Sequence, residues 1–434
     1  MLLPALIFIA IFVLIIFEVY DKAILASLGA ILMIAFGVID FHQAIESIEF
    51  ETIILLMSMM LLVEVSRESG IFSWLTVKMA RYSKGNPLLI FLLFSLTTAF
   101  LSAFLDNVTT IVLIVPVTIS LVKGMGRDPK PYIIAEILFS NIGGTLTLIG
   151  DPPNIIIGGA VKLSFIQFIQ NLWLPVLASL TVIILIFVTT HWKNHFKPIA
   201  SDLRKLFLSH VLIRKIAYKF LHIELSRVFM IKSISVIILT ILGFFFQKSL
   251  GVNVGVIAFS GAILLLLISS KEVKFEHSLR KVEWATLLFF CGLFVMVGAI
   301  EHVGLLEKIS DMILQLSDGK YITLLLTVLW VSGFTSMILD NIPFVTLMIP
   351  VIFSIQAQID PNVDASLLWW ALSLGACLGG NGTMIGASAN VIGLDLAKKD
   401  NVHISFLQFF KYGFPLTILS LGLSSAYLFY RVMI

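Results

Sequence analysis

Two Asp-Asn pairs, Asp106-Asn107 and Asp340-Asn341, each lie in the middle of a long apolar segment. The two 25-residue segments around them align at an offset of 234 residues, with nine of 25 positions identical. A carboxylate in an apolar setting is costly, and such residues usually line the path of an ion or a proton. We therefore predict that Asp106 and Asp340 couple an ion, and that Asn107 and Asn341 donate hydrogen bonds to a substrate.

A structural role for the same two aspartates is an alternative to ion coupling. Aspartate favours the N-cap of a helix, where it accepts backbone hydrogen bonds and complements the helix dipole. The two interpretations are compatible, because a capping carboxylate can still bind a proton or a cation.

Asp151 is a third apolar-segment carboxylate, and its counterpart in the second half of the chain is Ala387. A coupling ion is expected where a duplicated carrier departs from its own symmetry, so Asp151 is the leading candidate for the ion-coupling group. Glu136 and Glu64 are weaker candidates. We place Glu136 close to the cytoplasmic end of its segment, where a long side chain can reach the membrane interface.

Two apolar runs are interrupted by residues that disfavour a helix, and we predict an unwound stretch over 143–153 in the first of them. Proline removes a backbone donor and clashes with the preceding turn, and glycine lowers helix propensity. Irregular backbone at membrane depth is tolerated where it lines a cavity, and half-helix ends there offer partial charges. The alternative is a kinked structural helix. The residues concerned are Gly143, Gly144, Gly379 and Gly380, with Asn154 and Asn390 where the helices resume.

Several polar side chains near these breaks could bind a substrate through hydroxyl or amide groups. Each of them alone is more often a partner in a helix–helix hydrogen bond. These residues are Thr109, Thr145, Thr147, Asn381 and Thr383. Cys377 is a weak candidate for a metalloid, since a lone buried cysteine usually only packs. With two cysteines and scattered histidines, the sequence predicts no metal site and no cofactor.

The composition requires that a lipid bilayer be the solvent for most of the chain. Its 434 residues are 59% hydrophobic and 13% charged, with a mean hydropathy of +1.04. The N-terminal apolar run has neither a basic start nor a small-residue cleavage site, so we interpret it as a retained first span. These features predict a multi-pass protein of the cell (inner) membrane and give no indication of nucleic-acid binding.

The apolar runs form two series, and we predict an all-α membrane protein with two inverted repeats. Each repeat has five transmembrane helices, one of them broken, and a re-entrant helical hairpin whose tip is the Asp-Asn pair. Two full spans in place of each hairpin, 87–122 and 321–356, remain open. The predicted spans are 2–19, 23–39, 52–66, 131–160 and 172–190, then 233–250, 254–270, 285–300, 367–393 and 412–430. The predicted domains are 1–190, a linker at 191–232, and 233–434.

The distribution of basic residues orients the two hairpins in opposite directions. Seven Lys/Arg residues between 67 and 130 flank the first hairpin, whereas 355–366 beside the second hairpin has two aspartates and no basic residue. Because basic residues concentrate on the cytoplasmic side, the first hairpin enters from inside and the second from outside. The linker 191–232 has a local charge of +7 and is predicted to be an interfacial helix on anionic lipid.

The motifs S-A-F-L-D-N-V-T-T at 102–110, A-E-I-L-F-S-N-I-G-G at 135–144 and I-G-D-P-P-N at 149–154 carry a family resemblance. The chain resembles the ion transporter superfamily, in particular the branch of arsenical-pump membrane proteins, sodium/proton antiporters and the melanosomal P protein. The resemblance spans most of the chain. It implies a moving transport region beside a scaffold, elevator-like alternating access and a homodimer.

The resemblance also implies that substrate lies between the hairpin tips and the broken helices. In this sequence those positions are Asp106–Thr109, Asn141–Asn154, Asp340–Pro343 and Gly379–Asn390. Two departures matter. Dicarboxylate carriers of the superfamily have Ser-Asn-Thr at both tips, and plasmid-type arsenite pumps lack the intact Asp-Pro-Pro-Asn break.

We expect a secondary active transporter, and proton-coupled efflux of arsenite or antimonite is the leading hypothesis. A sodium/proton antiporter and an organic-anion carrier are the alternatives. The partners are then a small inorganic solute, a proton or sodium ion and the bilayer, with a homodimer and a cytoplasmic ATPase subunit left open. The chain has no phosphate-binding Gly-Lys-Ser/Thr motif, and a passive channel is a further option. An aspartyl protease is disfavoured because the repeat already explains the Asp106/Asp340 pair.

Overall fold

The computed structural model describes residues 2–17, 19–197, 226–317, 319–361 and 363–433, and these residues form helices and connections without a strand. Of the predicted linker, 191–232, residues 198–225 lie outside the described residues. The helices of the first half are α1 Leu2–Ile16, α2 Lys22–Ala35, α3 Phe41–Glu46, α4 Phe50–Glu68, α5 Ile71–Tyr82, α6 Pro87–Ser102, α7 Asn107–Gly124, α8 Lys130–Gly144, α9 Pro152–Val161 and α10 Phe165–His191.

The second half has the same order of elements. Its helices are α11 Arg227–Phe245, α12 Gln247–Leu250, α13 Val254–Ile268, α14 Phe275–Arg280, α15 Trp284–His302, α16 Leu305–Leu316, α17 Tyr321–Ile338, α18 Asn341–Gln356, α19 Leu367–Gly379, α20 Ser388–Lys399 and α21 Phe406–Met433. A π-helical turn, Trp192–Phe196, extends α10, and a 3₁₀ turn, Gly380–Gly382, follows α19.

The helix boundaries repeat at the offset seen in the sequence. Helices α4, α5, α6 and α7 begin at residues 50, 71, 87 and 107, and α15, α16, α17 and α18 begin 234 residues later in each case. Even the turns correspond, since Gly70 and Gly304 precede α5 and α16 with φ of 76° and 71°. The local sequence of each half therefore produces the same succession of helices. Their inverted orientation in the bilayer stays a prediction.

Helices α5 and α16 are elements that the hydropathy pattern did not predict. Each is a 12-residue helix between a span and the following hairpin. Helix α16 is amphipathic: Leu306 and Ile313 are buried, whereas Glu307, Lys308 and Asp311 are exposed. Short amphipathic helices escape a search for spans because their mean hydropathy is low, although their 3.6-residue periodicity could have revealed them.

Among the described residues, six helices are at least 18 residues long and apolar enough to cross a membrane, and six apolar helices are shorter. The second legs of the hairpins, α7 and α18, have 18 and 16 residues. They span about 27 Å and about 24 Å at 1.5 Å per residue. The re-entrant path of these legs stays a prediction.

Both predicted helix breaks are present, but the first is narrower than expected. Helix α8 continues through Gly144 and α9 resumes at Pro152, so the break covers 145–151 rather than 143–153. Proline is accepted in the first turn of a helix, where its missing N–H has no partner to lose. The second break separates α19 from α20 at the corresponding place.

The two halves interlock rather than lie side by side. Helix α2 packs on α15, and its counterpart α13 packs on α4. At the breaks, α7 packs on α20, and α18 packs on α9. Each hairpin thus meets a broken helix of the other half, and this arrangement brings the two Asp-Asn pairs and both breaks to one place.

Candidate functional site

A cavity of 460 Å³ lies where the hairpin tips meet the two breaks. Helices α7, α9, α18 and α20 each begin at its wall. Each helix N-terminus carries a partial positive charge from unpaired N–H groups, so this meeting point favours negatively polarised atoms. The polar residues that line it are Lys22, Glu64, Arg67, Asp106, Asn107, Thr109, Asp151, Lys281, Glu283, Thr286, Asn341 and Ser388.

Asp106 and Asp340 both cap the hairpin helices that follow them. An Asp106 carboxylate oxygen accepts from the backbone N–H of Thr109 at 2.7 Å, and Asp340 accepts from Ile342 at 3.3 Å. The structural interpretation of these residues is therefore correct, and it leaves their second carboxylate oxygens for other partners. Asp106 lines the cavity. Asp340 does not line it, but it forms a hydrogen bond with Lys22, which does.

Asp151 stands at the N-cap position of α9 but makes no capping hydrogen bond. Its side chain is 1% exposed, and Oδ2 has no hydrogen-bond partner among the described residues. Asn107 Nδ2 lies 3.5 Å from Oδ1. A buried charged group without full hydrogen bonding costs several kcal/mol, so this carboxyl calls for a bound proton, cation or substrate.

Lys22 pairs with Asp340 across the cavity wall, with Nζ 3.0 Å from Oδ2. The two residues are separated by 318 positions in sequence. Sequence analysis did not select Lys22. The sequence feature that could have identified Lys22 is a basic residue at the start of an apolar run. Nothing in the neighbouring sequence indicates its partner. Asp106, at the other tip, has no such pair with a Lys or Arg among the described residues.

Asn141 joins the two halves behind the cavity. Its Oδ1 accepts from Asn107 at 3.0 Å, and its Nδ2 donates to Asn381 at 2.8 Å and to Asn390 at 2.9 Å. Asn381 donates in turn to the Leu138 carbonyl at 3.1 Å. Because both protons of the Asn141 amide are used, this buried residue positions the first tip against the second break.

Asn154 and Asn390 hold the two breaks in equivalent ways. Asn154 Nδ2 donates to the carbonyls of Thr145 and Thr147 at 3.0 and 2.9 Å. Asn390 Nδ2 donates to the carbonyls of Gly380 and Thr383 at 2.7 and 2.8 Å. These amides satisfy carbonyls that the interrupted helices leave unpaired. Both side chains are buried and lie behind the cavity wall.

The threonines of the breaks also bond to protein groups. Thr145 Oγ1 donates to the Asn141 carbonyl at 2.8 Å, Thr147 donates to the Ala103 carbonyl, and Thr383 donates to the Met337 carbonyl. The last two bonds tie a break to the first leg of its own hairpin. Of the predicted hydroxyl ligands, only Thr109 lines the cavity.

The predicted glycines allow the hairpins to approach the broken helices closely. A Cβ on Gly143 would lie 2.1 Å from the Ala99 carbonyl oxygen, and one on Gly379 would lie 2.5 Å from that of Gly333. Gly144 and Gly380 are restricted in the same way by the far sides of their breaks. These four glycines therefore serve packing, and they lie outside the set of cavity-lining residues.

Glu136 lies elsewhere than expected, and Cys377 does not line the cavity. Glu136 was placed near the interface, but it is 1% exposed and accepts from Thr118 Oγ1 deep in the helix packing. Its position in the middle of α8, buried on every side, prevents it from reaching the surface. Cys377 is fully buried and 3.5 Å from Asn154 Oδ1, behind the cavity lining. The described residues contain no His/Cys/Asp/Glu group that could hold a metal ion.

A charged cluster surrounds one end of the cavity. Lys281 Nζ lies 2.8 Å from Glu64 and 2.9 Å from Glu68, and Arg67 lies 3.1 Å from Glu64. Partial burial alone would lower the pKa of Lys281, but the two carboxylates outweigh it and raise that pKa. At the positions equivalent to Glu64 and Lys281, Gly298 packs on Ser47. The equivalent place in the other half therefore has a close helix contact where this end has charges.

A family model described as a citrate transporter (CitMHS) matches residues 12–375. The chain is 35% identical to a 46 kDa membrane protein of Mycobacterium leprae, over 99% of this chain and 98% of that protein. It is 34% identical to the P protein of Mus musculus and 33% identical to that of Homo sapiens, over 96% of this chain in both cases. The chain spans 59% and 58% of the length of these two P proteins.

A solved structure has the same fold. The YdaH transporter of Alcanivorax borkumensis matches with a TM-score of 0.58, over 89% of this chain and 87% of that one. At 16% identity this similarity concerns the fold alone.

Proposed function

Since the chain belongs to the citrate transporter family CitMHS, we propose that this multi-pass membrane transporter is a secondary active carrier. In this proposal the cavity between the hairpin tips and the breaks binds a small solute. A proton or a sodium ion is coupled at the same place, and the protein exposes the cavity to each side of the membrane in turn.

The observation that carries the proposal is the Asp151 carboxyl. It is buried, it lines the cavity, and one of its oxygens has no partner among the described residues. A permanent charge in that position is unfavourable, whereas a group that binds and releases a cation in each cycle is useful there. Asp106 lies on the same cavity, so the two carboxyls form one coupling region, with Asp340 as the third predicted member.

The proposed solute is arsenite or antimonite, carried as the uncharged hydroxide. Such a molecule both donates and accepts hydrogen bonds, which suits carboxylates, the amides of Asn107 and Asn341, and helix N-termini. The predicted ligands that do not line the cavity, Asn141 among them, would have an indirect role, because they hold these groups in position. Exchange of the solute for a proton on Asp151 would make the transport an antiport.

Two other solutes are supported by specific observations. Sodium/proton exchange is supported by the carboxylates of Asp106 and Asp151, because oxygen ligands suit a hard cation. An organic anion is supported by the family description and by the basic residues Lys22, Arg67 and Lys281 on the lining. The nearby aspartates oppose an anion with several charges, and for this reason we rank it third.

The charged end of the cavity suggests which side is open in this conformation. Arg67 and Lys281 belong to segments that the sequence orients towards the cytoplasm. We propose that the cavity here faces the cytoplasm and that the hairpins and broken helices move as a unit past α2, α4, α13 and α15. A homodimer in the inner membrane is the expected setting for such elevator-like motion.

The test is transport in vesicles everted from cells that express the chain. Arsenite is measured inside the vesicles under an imposed pH gradient, with and without sodium, and antimonite, citrate and sodium/proton exchange are measured in parallel. Arsenite accumulation that depends on the pH gradient and that an uncoupler abolishes supports proton-coupled metalloid efflux. Vesicles without the protein are the control. Equal uptake with and without a gradient, for every solute, would contradict secondary active transport.

A further inference from the structure

The two hairpin tips are alike in sequence but differ in electrostatic environment. Asp340 has a lysine partner, Lys22, at 3.0 Å. Asp106 forms no ion pair with Lys or Arg in the part of the chain that the structure describes. Of the two equivalent carboxylates, Asp340 is thus paired with a cationic side chain among the described residues, and Asp106 is not.

We propose that the Lys22 ammonium is a tethered counterion that occupies, at the second tip, the place that a free coupling cation would otherwise take. Cation coupling then falls to Asp106 and Asp151 alone. This inference rests on the proposed function and deepens it, because it states which carboxylates exchange their cation during transport.

Several contacts hold Lys22 in this role. Asp21 caps the start of α2 by accepting from the Ala23 backbone N–H at 2.8 Å. The Lys22 ammonium lies 5.3 Å from the centre of the buried Phe289 ring on α15, within the range of a cation–π contact. The side chains of Lys22 and Asp340 are 37% and 23% exposed, so the pair is partly withdrawn from water. An ammonium held by two helices competes well with an ion from solution, since it loses less freedom on binding.

The second half of the chain shows why the first tip lacks such a partner. Helix α13 corresponds to α2, because α13 packs on α4 as α2 packs on α15. Helix α13 begins with Val254, which is buried, and has no Lys or Arg anywhere along its length. The departure from symmetry lies in the sequence of the two helices, and its effect is to neutralise one tip only.

The proposal predicts that removing the ammonium creates a cation site at Asp340. Lys22→Gln should lower the melting temperature of the purified protein in choline chloride, because it removes the ammonium beside the Asp340 carboxylate. Replacing choline with sodium should raise that melting temperature by about 2 °C more than in the parent protein. Lys22→Arg should behave like the parent, because it keeps the charge.

The double variant Lys22→Gln/Asp340→Asn is the decisive control. With both charges removed, the additional response to sodium should disappear. If Lys22→Gln responds to sodium no more than the double variant does, Lys22 does not stand in for a cation and the proposal is wrong. This comparison uses sodium as the probe, so it applies even if no solute is transported and the proposed function fails.

Transport supplies a second readout. Asp340→Asn removes the carboxylate beside the Lys22 ammonium and should lower the rate of gradient-driven arsenite uptake, or of sodium/proton exchange if that is the activity found. The double variant should recover most of the lost rate, since a neutral tip needs no counterion. A double variant as inactive as Asp340→Asn would show that Asp340 itself binds the coupling cation, and would overturn the proposal.

Discussion

Asp151 and Glu136 are two buried carboxyls with different surroundings. Each is 1% exposed and has one oxygen without a hydrogen-bond partner among the described residues. Asp151 lines the cavity, whereas Glu136 lies in the packing between α7 and α8, bonded to Thr118. Burial alone therefore does not identify a coupling group. Access to the cavity is what distinguishes a carboxyl that can exchange an ion from one that cannot.

We predict that Asp151→Asn abolishes accumulation driven by a pH gradient. The substitution keeps the shape of the side chain and removes the group that binds and releases the ion, so the inside-to-outside solute ratio should fall to the passive value. The measurement is uptake in everted vesicles across pH 6–8, with the amount of folded protein checked by size-exclusion chromatography.

Glu136→Gln is the matched control for this prediction. It neutralises a carboxyl that is equally buried but outside the cavity, and it should leave the gradient dependence of uptake intact. Retention of uphill transport with an unchanged pH profile in Asp151→Asn would remove Asp151 from the coupling mechanism.

At the scale of elements, the hairpins and the broken helices are joined by backbone contact. Gly143 meets Ala99, and Gly379 meets Gly333, so α6 lies on α8 as α17 lies on α19. Close approach of this kind, which depends on small residues, is characteristic of helix packing in membranes. It joins each hairpin closely to the broken helix of its own half, as the proposed motion of these elements as a unit requires.

Gly143→Ala should destabilise this unit. The added Cβ would lie 2.1 Å from the Ala99 carbonyl oxygen, so the two helices must separate, at a cost of about 1–3 kcal/mol. Thermal unfolding in detergent is the measurement, with a lower melting temperature expected.

Gly422→Ala is the corresponding control on α21. A Cβ there meets nothing within 4 Å, so the higher helix propensity of alanine should stabilise the protein by up to about 1 kcal/mol. Equal melting temperatures for the two variants would mean that the contact between α6 and α8 is looser than described.

At the scale of the molecule, helices of each half pack on helices of the other half. Because α2 packs on α15 and α7 packs on α20, neither half can bury its apolar surfaces without the other. The sequence predicts that the halves have opposite orientations in the bilayer, and this can be tested at two equivalent exposed positions. Lys123 and Ala357 lie at the ends of the second hairpin legs, 234 residues apart.

Lys123→Cys and Ala357→Cys should react with a membrane-impermeant maleimide from opposite sides. In a background without Cys291 and Cys377, the first should be labelled in everted vesicles and the second in right-side-out vesicles. Labelling of both from one side would mean that the repeats are parallel, and the inverted topology would be wrong.

Much of the fold follows from local sequence. Apolar length predicts the spans, the Gly and Asp-Pro-Pro interruptions predict both breaks, and the 234-residue offset predicts the repeated helix order. These features depend on propensity and hydropathy over a few turns, which each segment carries by itself. The amphipathic helices α5 and α16 were missed because they signal through periodicity rather than apolar length.

The sequence by itself therefore determined that this is a helical membrane protein with two related halves, and it selected Asp106, Asp151 and Asp340. Only the tertiary structure decided what each of them contacts. Lys22 reaches Asp340 across 318 residues, and Asn141 binds partners 240 and 249 residues away. Such contacts depend on how helices distant in sequence pack together, and the segments that form them carry no local record of their partners.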